Sequence, residues 1–421
     1  MSTLLRGARQ VVTCRGPARA RRGAEMRELE VLEGAGVVIG DDGLIAAVGP
    51  LDHLVRTHAE AIQVEVQGVL FPGFVDAHTH AVFGAARLVD HERRARGDDY
   101  KAIAAAGGGI LSSVHDLRGR GADDLAERTR RRLAHLLALG TTTVEVKSGY
   151  GLSLKDELKT LAVLGQLRGG APDVIPTFLG AHEVPPEFRP DRARYVRHVI
   201  EEMIPAVAAQ GIARFCDVFC EPGVFTREDS RAILEAGRAA GLEPKIHADE
   251  LDGSGGAELA AALGAISADH LARISAAGVA ALAASATVAV LLPGTMLFLG
   301  KRDQAPARAL VDGGAAVALA TDFNPGSSPA LSLPLMAMLG VSQLRLLPAE
   351  AVIAITANAA AAVGEARTRG QIAPGFRADL VLAAADDWRE LPYWYGTSLV
   401  REVWVLGTTC HPWGASVNSI A

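Results

Sequence analysis

The chain has 421 residues, of which 49% are hydrophobic and 21% charged, and a formal net charge of −6 at neutral pH. That length allows a large core and a second domain, since an α/β barrel alone takes about 250 residues. The acidic balance argues against nucleic acid as a partner. The lack of any long uncharged apolar run argues against a membrane span or a signal peptide.

Four cysteines, Cys14, Cys216, Cys220 and Cys410, are scattered along the chain. They form no CxxC pair or dense framework, so disulfides are not expected and a reducing, cytoplasmic setting is; Cys216 and Cys220, in "RFCDVFCEPGVF", read as core thiols. Two Arg-rich stretches, "RARRGAEMR" and "RTRRRLAH", read as solvated faces.

The first predicted elements are short strands. "AGVVIGDDGLIAAVGP" is two apolar runs joined at Asp41-Asp42-Gly43, a hairpin signal. The same flavour returns near the other end, in "GFRADLVLAAADD" and "VREVWVLGTTC". Residues 1–68 and 372–421 are therefore expected to build one small β-sandwich domain, with the catalytic domain of residues 69–371 inserted between them.

The middle of the chain alternates. Strand-like runs are "GVLFPGFVDAH", "TTTVEVKSG", "DVIPTFLGAH", "RFCDVFCE", "LEPKIHADE", "GAISADH", "TVAVLLPGT" and "AAVALATDF". Helical patterns such as "ADDLAERTRRRLAHLLALG" and "GGAELAAALG" separate most of them. The alternation predicts a (β/α)8 barrel of the TIM type. A doubly wound sheet fits the periodicity too, but no Gly-rich phosphate loop follows a strand. "GGG" at 107–109 reads as a loop.

Nearly every run ends in a polar residue: His78 and His80, then Lys147, His182, Glu221, His247, His270 and Asp322. In a barrel those ends form the active-site mouth. His78 and His80 stand two apart, and in a strand such residues face the same way. With His247 and Asp322 they make three imidazoles and one carboxylate, a donor set for one divalent metal, Zn²⁺ or Fe²⁺. Such an ion makes water more acidic and polarises a carbonyl. Asp322 could hold the metal and accept a proton, and His270 is placed to bond the attacked oxygen or the water. Glu250 follows His247 by three residues and puts a carboxylate beside the imidazole.

Several of these residues also have plainer readings. His182 by itself reads as a loop histidine, and His270 as a satisfied cap or core histidine. Lys147 reads as an ion-pair partner of Glu145 or Glu221; its chemical alternative is a carbamylated lysine bridging two metals. His53, His58, His91, His115, His135, His198 and His411 read as surface or packing residues.

"PGFVDAHTH", the later "HADE", the strand-end His270 and "TDFN" together resemble the amidohydrolase superfamily. More narrowly, "HTHAVFGAAR", "EVKSGYGL", "TFLGAHEVPPE", "CDVFCEPGVF", "IHADEL", "LLPGT" and "ALATDFNPGSSP" resemble the members that open the ring of 4-imidazolone-5-propanoate in histidine degradation. The resemblance implies a metal-dependent hydrolase that yields N-formimidoyl-L-glutamate, acting on a small molecule as a homodimer. It implies His78, His80, His247 and Asp322 as metal ligands, and water activation by His270 and Asp322. Arg87 would grip the propanoate, which suits a planar fork facing a carboxylate. Tyr150 and His182 would contact substrate, Glu250 would bond the ring nitrogen, and Asn324, Gly326 and Ser327 would line the pocket. One departure is Ala85 in "VFGAAR", where a second glycine is expected; a positive φ there would cost about 1 kcal/mol. The segment "YKAIAAAGGGILSSVHDLR" matches only loosely.

Three other readings stay open. A deaminase of a cytosine- or guanine-like base could use Glu250 as its proton shuttle, but a neutral base has no carboxylate for Arg87. A binuclear cyclic-amide hydrolase needs a lysine on the fourth strand, whereas His182 is expected at the end of that strand and Lys147 on the third. A barrel that binds a metabolite without catalysis would not need so complete a donor set.

Overall fold

A computed structural model describes residues 1–98, 102–103 and 106–410. Its centre is an eight-stranded sheet of β1 (Phe74–Asp76), β2 (Thr141–Lys147), β3 (Asp173–Ala181), β4 (Phe215–Cys220), β5 (Glu243–Ala248), β6 (Ser267–His270), β7 (Val288–Leu291) and β8 (Ala316–Leu319). Each strand pairs in parallel with the next in sequence. Neighbour follows neighbour without a switch point, so the topology is the barrel and not the doubly wound sheet.

The ring closes just beyond β1 and β8, where Thr79 bridges Phe323 in parallel. Backbone N–H groups of Asp322 and His80 donate to the carbonyls of His78 and Phe323, at 3.0 and 2.8 Å. The buried Asp76 carboxylate adds a side-chain stitch, accepting from Thr321 N at 3.1 Å and Thr321 Oγ1 at 2.6 Å. The first and last strand ends are thus held together at the residues that carry the metal-binding pattern.

All eight strand-like runs form strands, because each is apolar enough to be buried on both faces, as parallel sheets require. The first run divides. Val69–Pro72 joins a six-stranded sheet and only Phe74–Asp76 enters the barrel, with Gly73 between them. A Cβ at Gly73 would stand 2.2 Å from Thr142 Oγ1, so the break needs a glycine. The six-stranded sheet combines Gln10–Val12, Val31–Glu33 and Val69–Pro72 with Leu380–Ala383, Val400–Val405 and Thr408–Cys410. A four-stranded sheet of Thr3–Arg6, Ala35–Ile39, Ile45–Pro50 and Ile62–Glu65 shares its core with it, through Val11, Val37, Leu70, Leu380 and Trp404. The Asp41-Asp42-Gly43 hairpin forms, with Gly43 at φ +77°.

The predicted helices appear at Ala122–Ala138 and Gly256–Leu263. Gly107–Gly109 is a loop that precedes the helix Ile110–Arg118. Residue 99, residues 100, 101, 104 and 105 of the loosely matching region, and 411–421 with His411, lie outside the described residues. Among the described residues no helix is long and apolar enough to cross a membrane.

Candidate active site

Six of the eight polar strand ends converge. His78 and His80 leave β1 on one face, His247 sits in β5, and Asp322 follows β8. The Nε2 atoms of His78 and His80 each lie 3.6 Å from Asp322 Oδ1. His247 Nε2 is 3.5 Å from His80 Nε2. Like-facing acceptor nitrogens at that spacing, beside a carboxylate oxygen, are poor company for one another without a cation among them. His78 Nε2 is also buried with no hydrogen-bond partner. This donor set fits a metal ion, and the cluster could hold one. Burial pushes the His78, His80 and His270 imidazoles well below the usual range, which leaves neutral rings suited to ligation.

The orientation of His78, His247 and Asp322 has a visible cause. Asp269 Oδ2 accepts from His78 Nδ1 at 2.6 Å, and Asp217 Oδ1 from His247 Nδ1 at 3.1 Å. Each carboxylate fixes its histidine with Nδ1 protonated and the Nε2 lone pair aimed at the cluster. Thr295 Oγ1 donates to Asp322 Oδ2 at 2.6 Å, which leaves Oδ1 to face the histidines. Asp322 and His270 both have positive φ, +51° and +78°, a strained backbone beside the cluster.

The cluster forms the floor of a cavity of about 450 Å³. Arg87, Tyr150, His182, Glu250, His270, Asn324, Gly326 and Ser327 line it together with His80, His247 and Asp322. The Arg87 guanidinium lies flat on Gly326: a Cβ there would be 1.9 Å from Arg87 Cζ. Arg87 Nε is buried and unpartnered. His182 Nδ1 donates to Gly149 O at 3.0 Å, so its Nε2 is an acceptor, and its ring stacks on His80 at 5.0 Å. Burial, then the neighbouring His247, brings His182 down to about 3. Burial, then Asp322 and Glu221, raises the Glu250 carboxyl well above the usual carboxylate range. Glu250 Oε2 stands 3.5 Å from His270 Nε2. Burial also raises Asp322 to about 6 against the Thr295 hydrogen bond and His247.

Two polar strand ends do something else. Glu221 accepts backbone N–H groups of Glu250, Leu251 and Asp252 at 2.5, 3.1 and 3.2 Å, so it shapes the turn that carries Glu250. Lys147 is fully buried beneath the histidines, paired with Glu145 and not with Glu221. It lies on β2, His182 just follows β3, and β4 has no lysine, so the strand count expected from the sequence shifts by one. Asn324 turns inward on its own loop, donating to Asp322 O at 2.7 Å and accepting from the backbone N–H groups of Gly326 and Ser327 at 2.8 Å.

The Arg-rich stretches are not wholly solvated. Arg21 is buried and donates to Cys14 O and Glu28 O. Arg132 is buried 3.4 Å over the Phe83 ring and donates to the carbonyls of Ala81, Phe83 and Gly84. It thereby shapes the loop from His80 to Arg87. Ala85 has no positive φ, so the missing glycine costs nothing there. Of the histidines read as surface or packing, His53, His58, His91, His115, His135 and His198 lie off the cavity wall. Asp217, Asp269, Thr295 and Arg132 escaped the sequence reading. The signal for the two aspartates was a lone acid inside an apolar strand run.

A family model for the amidohydrolase family matches residues 69–410. The imidazolonepropionase of Geobacillus kaustophilus (strain HTA426) is 48% identical over 406 residues, covering 95% of each chain. That of Parabacteroides distasonis is 48% identical over 405 residues, covering 95% of this chain and 96% of its own. Among solved structures, a triazine hydrolase variant superposes with a TM-score of 0.73 at 17% identity, over 100% of this chain and 97% of its own, a likeness of fold.

Proposed function

Because the chain belongs to the amidohydrolase family, and within it to the imidazolonepropionases, we infer that it is a C–N hydrolase of histidine degradation that opens the ring amide of 4-imidazolone-5-propanoate to N-formimidoyl-L-glutamate. The observation that carries this substrate is Arg87. Its guanidinium is pinned on Gly326 in the wall of the cavity whose floor is the histidine–aspartate cluster, with a buried donor free. A propanoate arm matches that fork; a neutral nucleobase leaves it without a counter-charge, which disfavours the deaminase reading.

A divalent ion, Zn²⁺ or Fe²⁺, held by His78, His80, His247 and Asp322 would polarise the ring carbonyl and make a water more acidic. The residues then divide the work. Arg87 and Tyr150 hold the carboxylate, and the His182 Nε2 lone pair accepts from the ring N–H. Asp322 takes the proton of the attacking water, with His270 bonding that water or the attacked oxygen. The water oxygen adds to the ring carbonyl carbon and the amide C–N bond breaks. Glu250, whose burial favours the protonated form, gives its proton to the departing ring nitrogen. Asn324 positions Gly326 and Ser327, and through them the floor under Arg87.

The test is the ultraviolet absorbance of freshly generated imidazolone propanoate, with and without protein, before and after chelation. Metal-dependent loss of the chromophore with formimidoyl-glutamate appearing is expected. No acceleration from fully metallated protein would overturn the reading and direct attention to ammonia release from amino-substituted bases.

A further inference from the structure

Beneath the histidines lies an ionic layer that the reaction above does not use. Lys147 Nζ is 2.7 Å from Glu145 Oε1, 2.8 Å from Asp217 Oδ2 and 3.5 Å from Asp269 Oδ2. All four side chains are fully buried. Lys147 stands on β2, Asp217 on β4 and Asp269 on β6, alternate strands whose inward side chains share a layer of a barrel. The opposite oxygen of Asp217 accepts from His247, and the same oxygen of Asp269 that faces Lys147 accepts from His78. One ammonium, with three donors, therefore meets both carboxylates that orient the two histidines.

We propose that Lys147 is a positioning residue for the metal centre, a single cation that clamps Asp217 and Asp269 and through them fixes His247 and His78 together. The physical reason is that two buried carboxylates a few ångströms apart repel and cannot keep their places uncompensated. A second buried lysine shares the charge balance but not the contacts. Lys245 Nζ donates to the backbone at Ala77 O and Ala362 O, at 3.0 and 3.3 Å, and pairs with Glu145 at 3.6 Å; its charge also favours ionised Asp269, but it makes no direct contact with the Asp217 or Asp269 carboxylates. Nor is Lys147 free to become a carbamate bridging two metals, since its nitrogen is already ringed by three carboxylate oxygens.

The inference rests on the ligand set proposed above, and its test needs no substrate. Wild-type protein and Lys147→Met are loaded with Zn²⁺, and release to a chromogenic chelator is followed. Removing such outer partners costs about tenfold to a hundredfold in metal affinity, so the variant should lose its ion at least tenfold more readily. Loaded instead with Co²⁺, it should show a changed visible absorption spectrum as both imidazoles lose their fixed orientation. Asp217→Asn combined with Lys147→Met should cost clearly less than the sum of the two single losses, because both act through one clamp. If Lys147→Met does not fold, Lys147→Met with Glu145→Gln removes one buried acid along with the cation and is measured in its place. Unchanged retention and an unchanged Co²⁺ spectrum with a lowered melting temperature would reduce Lys147 to a core ion pair and overturn the proposal. A carbamate mass on Lys147 with two ions per chain would overturn it as well. Wild-type protein that holds no metal would overturn the ligand assignment instead, so the two failures are distinct.

Discussion

The two ends of the barrel are built from the same eight strands and share almost no chemistry. At the C-terminal ends stand five histidines, Asp322, Glu250 and Arg87, two of them, His270 and Asp322, on strained backbone. Toward the other end the interior is filled by small and branched residues, among them Val75, Ala77, Val288, Val290, Ala316 and Ala318, closed beneath by Ala359, Ala360 and Val363. Between them lies the ionic layer of Lys147, Asp217, Asp269 and Glu145. The difference teaches that position along a strand, more than residue type alone, decides whether a polar group binds or braces: His247 faces the cavity while Asp217, one strand away, supports it from below.

That contrast can be tested from both sides. Asp322→Asn should lower turnover on the order of a thousandfold or more, with the melting temperature nearly kept. Turnover near the wild-type value would remove Asp322 as the proton acceptor. Arg87→Ala should raise KM about tenfold to a hundredfold, the worth of a charged hydrogen-bonded pair, and change kcat less. If KM stays put, the carboxylate fork is elsewhere. At the opposite end, Val288→Ala should cost about 2 kcal/mol of stability, the loss of two buried methyl groups and the space they leave. Its kinetic constants should not move; a large change in KM would show that the two ends are coupled.

The smallest expected effect concerns the rim below. Asp173 pairs with Arg369, which also reaches Asp379, the residue just before the strand Leu380–Ala383 of the six-stranded sheet. Burial alone would raise the Asp173 carboxyl, but Arg369 and Arg377 hold it below the usual range. A depressed carboxylate stabilises the fold above its unfolded pKa of about 3.9, and that contribution fades as pH falls through the lower folded value. Asp173→Asn should therefore lower the melting temperature by a few degrees at pH 7 and by less near pH 3. An equal loss at both pH values would mean that shape, not charge, holds this contact.

Much of this was legible before any coordinates. The eight apolar runs, the Asp-Asp-Gly hairpin and the HxH strand end carry their meaning in local spacing. The resemblance added Arg87, Tyr150 and the turn after Asp322. What stayed hidden depends on which strands lie side by side. Nothing near Asp217 says that its partner is His247, thirty positions on, or that Lys147 will stand between it and Asp269. Gly73 divides one apolar run between two sheets, and only the crowding by Thr142 reveals it. Arg132 sits in a run of charges typical of solvent, yet its guanidinium finds three carbonyls and a ring that belong to a distant loop.

The seam beyond β1 and β8 also sets an order of assembly. His78 and Asp322 are joined there through the backbone, although nearly the whole barrel separates them along the chain. A chain emerging from the ribosome makes His78 and His80 long before Asp322. Until the last strand returns to the first, His78 and His80 have no wall opposite them. Closing so long a loop is slow, because its entropy must be met before the contact can reward it. The cluster of His78, His80 and Asp322 therefore exists only once the first and last strands of the barrel have met.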